Sequence, residues 1–93
     1  MKKKEVYQKF FSKLQLALLA TPLEGKAILR RIERRTGMSR ITIINAVKKL
    51  KELGLIDDEV RGRVHTIWLT EKGKKTKELL LNLDKLLTTS QET

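Results

Sequence analysis

Polar and basic residues that could recognise a ligand lie on both sides of one glycine in this 93-residue chain. Gly37 follows a basic stretch with helical periodicity, and Ser39 opens a second such stretch. Glycine readily adopts the positive φ with which a chain often leaves a helix, and a serine two residues later can cap the next helix. The pattern predicts a helix-turn-helix, the unit that places its second helix in the major groove of DNA.

The second helix of this predicted unit carries side chains that could read base pairs. Asn45 has the donor and acceptor that pair with adenine, and Arg40 could bind guanine or hold a phosphate. Thr42 could contact a base edge or a thymine methyl group. Ile41 and Ile44 could also meet thymine methyl groups, or they could lie partly buried against the preceding helix.

Basic residues beyond these positions predict contacts with the DNA backbone. Lys48 and Lys49 lie one turn further along the helix and should contact phosphates, which give affinity but no sequence information. A tight turn is predicted at Arg61-Gly62, where Arg61 and Arg63 could contact phosphates or simply protect an edge strand. The predicted DNA-binding residues are Ser39, Arg40, Ile41, Thr42, Ile44, Asn45, Lys48, Lys49, Arg61, Gly62 and Arg63.

The charge distribution favours double-stranded DNA as the partner. The chain has 21 Lys and Arg against 11 Asp and Glu, a formal net charge of +10. Residues 24–54 hold nine of these cations and three of the anions, while residues 1–13 hold five Lys and one Glu. Clustered charge of this kind attracts phosphate and releases counterions on binding. A merely solvated basic surface is the alternative, and it carries less weight because the charge coincides with the predicted helix-turn-helix.

Composition argues against several other classes of protein. The chain has no cysteine, which excludes disulfides, zinc–thiolate sites and thiol nucleophiles. Its single histidine cannot supply a histidine metal cluster or a conventional catalytic triad, so we expect no enzyme, metal or cofactor. No apolar run approaches the roughly 18 residues of a membrane span, and no secretory leader is recognisable. We therefore expect a cytoplasmic protein, associated with the nucleoid or, if viral, in the host cytoplasm, without a membrane partner.

Three further residues or groups have simple structural interpretations. Asp57-Asp58-Glu59 is predicted to be a charged strand edge, because adjacent strand residues alternate faces and cannot form a metal cage. His65 is interpreted as a surface or wing residue, and Trp68 as packed between the hairpin and the helices.

Hydrophobic periodicity predicts the helices that position the polar residues. The first helix should run from about Lys4 to Ala20. The second should begin in a capping box at Thr21–Glu24 and end near Thr36. The third should run from Ser39 to Leu53, where Gly54 ends it.

After the third helix the apolar period changes from helical to extended. A strand that opens at Leu55-Ile56 and a return strand from Val64 to Leu69 should form a hairpin. Ile67 and Leu69 should share one face of the return strand. Thr70 should then cap a last helix of about 18 residues.

Apolar residues in excess of one small core predict a homodimer. Phe11 widens the apolar surface of the first helix, while Leu79, Leu83 and Leu86 repeat on the last helix with coiled-coil-like spacing. A chain of this length has a small core that would gain from dimerisation. We expect one domain, comprising an N-terminal helix (1–21), the helix-turn-helix plus wing (22–70), and a C-terminal dimerisation helix and tail (71–93).

Three stretches of the sequence resemble known transcription regulators. Leu19–Gly25 (LATPLEG), followed by Ile28, Arg31-Ile32 and Arg35-Thr36-Gly37, looks like the opening of PadR-type proteins. The stretches Leu50–Ile56 (LKELGLI) and Leu69–Gly73 (LTEKG) resemble a pattern that PadR and MarR proteins share. The resemblance covers roughly residues 16–75. It implies a mainly α fold with a small β-hairpin, a winged helix-turn-helix whose N- and C-terminal helices form a homodimer and whose wing touches DNA beside the major groove.

These observations predict a dimeric, sequence-specific regulator of transcription that most often represses by occluding a promoter. One alternative is a basic architectural or chromatin-like DNA binder with little sequence preference. Another is a winged helix that serves as a protein–protein interaction module, which the charge on the helix-turn-helix argues against. Members of these families can bind small-molecule effectors near the dimer interface, but no motif in the sequence indicates such a site.

Overall fold

Four helices and a three-stranded sheet follow one another along residues 12–92, which are the residues that this computed structural model describes. Their order is α1 (Lys13–Ala20), β1 (Ala27–Ile28), α2 (Leu29–Thr36), α3 (Arg40–Glu52), β2 (Ile56–Arg61), β3 (Val64–Leu69) and α4 (Glu71–Glu92). The predicted fold class, a mainly α winged helix-turn-helix with a small hairpin, is confirmed.

The turn between α2 and α3 has the predicted geometry. Gly37 ends α2 in the left-handed region, with a φ of 74°, and its N–H donates to the Glu33 carbonyl oxygen over 2.8 Å. Ser39 caps α3, where its hydroxyl oxygen accepts from the Thr42 N–H at 3.3 Å. A side chain at Gly37 would strain this φ, which explains why glycine occupies the reversal.

The sheet is antiparallel, with β3 at its centre in the order β1-β3-β2. Ile67 and Leu69 are buried on the core face of β3, as predicted. The hairpin loop differs by one residue from the prediction, because Arg61 still pairs with Val64 and the loop consists of Gly62 and Arg63. The strand β1, in which Ala27 pairs with Ile67, was not predicted, since two residues show no periodicity.

The predicted start of the first helix at Lys4 lies outside the described residues, but the predicted continuity of that helix to Ala20 is wrong, and so is the predicted start of the second helix. Ser12 is extended and forms a capping box with Gln15, so α1 begins at Lys13. The helix predicted from Lys4 to Ala20 is therefore interrupted at Ser12. The predicted capping box at Thr21 does not form, because the buried Thr21 hydroxyl instead donates to the Ala17 carbonyl at 2.9 Å and closes α1. As a result α2 begins only at Leu29.

The core lies where the three shorter helices meet the inner face of the sheet. α3 contributes its buried side, and α1, α2, β2 and β3 contribute the rest. The core residues with the least exposure are Ala17, Leu18, Leu29, Ile32, Ile43, Val47, Leu50, Ile56 and Ile67.

The start of α4 packs directly against the backbone that follows α3. Thr70 caps α4, where its hydroxyl oxygen accepts from the Gly73 N–H at 3.0 Å, and its own N–H donates to the Leu55 carbonyl at 3.1 Å. A Cβ on Gly73 would overlap that carbonyl oxygen and lie 2.8 Å from the carbonyl carbon. The LTEKG stretch therefore combines a helix cap with the one residue small enough for this contact.

Replacement of Gly73 by alanine should destabilise the fold even though alanine is the better helix former. We expect a net loss of about 1–3 kcal/mol, because the new methyl group must push α4 away from Leu55, against a helical gain of about 1 kcal/mol. Urea unfolding measures the difference. Lys75→Ala, at an exposed site on the same helix, should change stability by no more than about 0.5 kcal/mol. Equal stability of the two variants would contradict the close approach.

Candidate nucleic-acid interface

The side of α3 that faces away from the core presents the predicted recognition residues. Asn45, Lys48 and Lys49 are exposed, whereas Thr42 is half-buried. The two isoleucines differ: Ile41 is 71% exposed, while Ile44 is half-buried and packs against the core. Of the two interpretations given to these isoleucines, exposure holds for Ile41 and partial burial for Ile44.

The first turn of α3 is held by contacts within the protein. The Ser39 hydroxyl donates to the Thr42 hydroxyl oxygen at 2.8 Å, so both side chains are engaged in the cap. Arg40 donates from Nη1 to Oε2 of Glu33 on α2 at 3.0 Å, in a partly exposed ion pair. Arg40 therefore needs to exchange or share Glu33 before it can contact a base or a phosphate.

One groove beside α3 separates the helix-turn-helix from the hairpin. It has a volume of about 240 Å³, and it receives a basic side chain from each of three elements. These are Arg30 of α2, Arg40 of α3 and Arg63 of the hairpin loop. Arg30 was not among the predicted site residues, because the predicted helix start at Thr21 placed it in mid-helix, whereas it lies in the first turn of α2.

A second groove, of about 280 Å³, lies between α1 and α3. Thr42, Asn45 and Lys49 line it from α3, and Lys13 and Leu14 line it from α1. Lys13 thus adds a cation beside Asn45 that the predicted site did not include. Its position at the start of a helix could not be inferred while that helix was expected to begin at Lys4.

The two arginines of the wing have different surroundings. Arg61 donates from Nε to Oε2 of Glu59 at 3.0 Å, on an exposed strand end. Arg63, beside Gly62 in the loop, makes no ion pair with any residue that the structure describes. Lys48 and Lys49 are likewise unpaired among residues 12–92. Arg63 is therefore the wing arginine available to an outside anion without breaking a contact.

Asp58 joins the wing to α3. Its Oδ1 accepts from Lys51 of α3 at 2.8 Å, and its Oδ2 lies 2.8 Å from Nε2 of His65 on β3. The predicted charged edge is thus divided, because Asp58 is paired opposite Ile67 and shares its inward face, whereas Asp57 and Glu59 point outward. His65 is half-buried in this bridge and is not a simple surface residue.

The pKa values of this bridge follow from its hydrogen bonds. The hydrogen bond from Lys51, assisted by His65, holds the pKa of Asp58 below its ordinary value despite an opposing effect of burial. The same hydrogen bond and the charge of Asp58 raise the pKa of Lys51. The bridge therefore favours the charged forms of both partners.

Two cations also fasten the C-terminal end of α1. Arg35 of α2 donates to the Ala20 carbonyl at 2.9 Å, and Lys77 of α4 donates to the Thr21 carbonyl at 2.6 Å. Lys77 is 8% exposed, and burial together with the nearby Arg35 lowers its pKa. These contacts connect α1, α2 and α4, and they use the partial negative charge at a helix end.

Trp68, Leu79 and Leu86 lie outside the core. Trp68 is on the outer face of β3 under Lys26, whose Nζ lies 4.3 Å from the ring centroid, and is not packed between hairpin and helices as predicted. Leu79 and Leu86 of α4 are more than 60% exposed on the single chain. Leu83 is half-buried, and Phe11 lies outside the described residues.

Residues 12–92 contain neither a candidate metal site nor a candidate membrane span. No group of three or more His, Asp or Glu side chains in this range could hold a metal ion. No helix in it has the length and apolar character needed to cross a membrane.

Neutralisation of Asp58 should destabilise the fold in a pH-dependent way. The folded-state pKa of Asp58 is lowered. Its contribution to the free energy of unfolding is therefore complete above the unfolded-state pKa of about 4, and it is lost as the pH falls through the folded-state pKa. Asp58→Asn should therefore cost about 1–2 kcal/mol at pH 7, and this cost should shrink as the pH falls from about 4 toward 2. Urea unfolding across this range provides the measurement. The control is Glu52→Gln, at an exposed carboxylate of α3 that makes no ion pair with any residue between 12 and 92, and it should have a smaller effect. A pH-independent difference for Asp58→Asn would refute the bridge.

No protein-family model matches the sequence, and no curated protein matches it. Solved structures do match. ZitR from Lactococcus lactis, a zinc-responsive MarR family member, is 28% identical, with a TM-score of 0.69 over 87% of this chain and 58% of its own. BpsR from Bordetella bronchiseptica, whose DNA binding is regulated by 6-hydroxynicotinic acid, is 22% identical, with a TM-score of 0.74 over 89% and 61% of the two chains.

A third match is similar in length to this chain. AF1382 from Archaeoglobus fulgidus is 17% identical, with a TM-score of 0.73 over 94% of this chain and 97% of its own. By contrast, the chain spans only about three-fifths of ZitR and BpsR, at 58% and 61% of their lengths. Each of these three matches covers 87% or more of this chain. The chain therefore has the winged helix-turn-helix fold of MarR-type transcription regulators.

Proposed function

We propose that this chain is a homodimeric, sequence-specific DNA-binding regulator of transcription that represses by occluding a promoter. The observation that carries the proposal is the arrangement around α3, whose exposed polar side is flanked by two grooves with basic linings. The DNA binding named for BpsR and the MarR family membership of ZitR support the same function. Regulation by 6-hydroxynicotinic acid and by zinc belongs to those two proteins, and we do not extend it to this chain.

In the proposed complex, the residues of α3 divide between reading bases and binding phosphates. Asn45 is exposed and flanked by Lys13 and Lys49, so it can approach adenine while the two lysines meet the backbone on either side. Ile41 is exposed enough to contact a thymine methyl group. Lys48, unpaired and exposed, would contact a phosphate. Specificity thus comes from a small part of a larger basic surface.

Asn45 and Lys48 should affect DNA binding differently. Asn45→Ala should weaken binding to the preferred duplex by about 1–3 kcal/mol and relax specificity at one or two base pairs, because an adenine contact is lost. Lys48→Ala should weaken preferred and random duplexes alike and lower the slope of log K against log salt by about one unit. Fluorescence anisotropy with both duplexes over a salt series provides the measurement.

The same titrations separate the proposal from its alternatives. A basic architectural protein would bind preferred and random duplexes with similar affinity, and Asn45→Ala would then reduce both equally. A protein–protein interaction module would bind neither duplex at any salt concentration. Either result would contradict sequence-specific recognition by α3.

The exposed leucines of α4 should form the dimer interface. Leu79, Leu83 and Leu86 follow one another at spacings of four and three residues, and Leu79 and Leu86 are exposed on the single chain. Replacement of Leu83 and Leu86 together by Glu should place like charges in a symmetric contact and yield monomers that bind DNA weakly. Sedimentation equilibrium at micromolar concentration measures the mass.

A matched control is available on the same helix. Leu81 is also exposed, but it lies two positions before Leu83, so it points to a different side of the helix. Leu81→Glu should leave the dimer intact. A wild-type chain that sediments as a monomer, or equal dissociation by Leu81→Glu, would contradict the proposed interface.

A further inference from the structure

Three arginines converge on one cavity although their charges repel one another. Arg30 comes from the first turn of α2, Arg40 from the first turn of α3 and Arg63 from the hairpin loop, and all three line the same space of about 240 Å³. Like charges that face the same space repel one another, and an anion bound between them would relieve that repulsion. The cavity therefore has the electrostatic character of an anion site.

The ion pairs show which of these arginines are free to bind. Arg40 is already held by Glu33 at 3.0 Å. Arg30 and Arg63 make no ion pair with any residue between 12 and 92. The neighbouring wing arginine, Arg61, is paired with Glu59 and does not line the cavity. Two guanidinium groups that line the cavity, and that make no ion pair among residues 12–92, are thus available to a single anion.

We propose that this cavity binds one phosphodiester group of the DNA backbone, with Arg30 and Arg63 as its joint ligands. The inference rests on the proposed function, because it places the DNA strand between α3 and the wing. A guanidinium group matches the geometry of phosphate oxygens and can form two hydrogen bonds to them. The site assigns Arg63 as the wing residue that contacts DNA, and it adds Arg30, which no base-reading or wing motif includes.

The remaining walls of the cavity favour a nucleic-acid phosphate over a free inorganic anion. They consist of Leu29, His65, Ile28 and Val64, of which Ile28 and Val64 are 46% and 51% exposed. Apolar walls of this kind suit the carbon atoms of a deoxyribose beside the phosphate, whereas inorganic phosphate would leave them in contact with water. The volume also exceeds the space that one phosphate group fills, which leaves room for part of the adjoining sugar.

Anisotropy titrations of the full chain test the site with Arg30→Ala, Arg63→Ala, the double variant and Lys75→Ala. Each of the first two should weaken binding to preferred and random duplexes alike by about tenfold, since each removes a charge-assisted hydrogen bond. Each should also lower the salt slope by up to about 0.9. The double variant should lower the slope little further, because the two side chains share one phosphate. Lys75→Ala, which removes one exposed charge on α4 outside the cavity, should have little effect.

Replacement of single phosphates of the duplex by uncharged methylphosphonate identifies the bound group. When the phosphate at one particular backbone position of each half-site is replaced, the wild type and the double variant should bind the duplex with equal affinity. Inorganic phosphate at millimolar concentration should compete no better than sulfate if the site is built for a nucleic-acid phosphodiester.

Several results would overturn the inference. Wild-type affinity in Arg30→Ala or Arg63→Ala would exclude these residues as ligands. A double variant whose salt slope falls by about two units would indicate that the two arginines bind two separate phosphates. If no methylphosphonate position removes the difference in affinity between the wild type and the double variant, a shared phosphate is excluded. Failure of the wild type to bind any duplex would instead contradict the proposed function, so the two failures are distinguishable.

Discussion

The burial of one side of α3 is the constraint on which the rest of the structure depends. Ile43 and Val47 have at most 1% of their surface exposed, and Ala46 and Leu50 complete the buried stripe. Burial of a large aliphatic side chain contributes about 1.5–3 kcal/mol, so rotation of α3 about its axis would lose this packing and bury lysines. The helix is thereby locked with Asn45 outward. Burial of the apolar side of α3 therefore determines which way its polar side faces.

The wing and α4 take their positions from this helix and from the backbone that follows it. Asp58 connects β2 to Lys51 near the end of α3, and Thr70 and Gly73 fit α4 against Leu55 a few residues later. Arg35 and Lys77 join α2 and α4 to the end of α1. The predicted dimer helix, the wing and the recognition helix are thus connected by short, directional contacts. A change in the orientation of α4 would have to be accommodated through these same contacts.

Local chemistry explains which features could be predicted from the sequence. The reversal at Gly37, the cap at Ser39 and the alternation of Ile67 and Leu69 depend on near neighbours in the chain, and all three were predicted. The start of α2 was missed because Thr21 is a good capping residue whose hydroxyl is used by α1, a choice decided by burial. The strand β1, the bridge at Asp58 and the cavity beside Arg30 depend on residues distant in sequence, and no local pattern indicates them.

Selection of bound duplexes from a random library tests the central claim most directly. A dimer that presents two copies of α3 about a two-fold axis should enrich an imperfect inverted repeat whose half-sites lie about one helical turn, ~34 Å, apart. Asn45→Ala should lose the preference at one or two positions of each half-site while it keeps the repeat. Failure to enrich any sequence, or enrichment of a single half-site without a symmetric partner, would contradict recognition by a dimer of this winged helix.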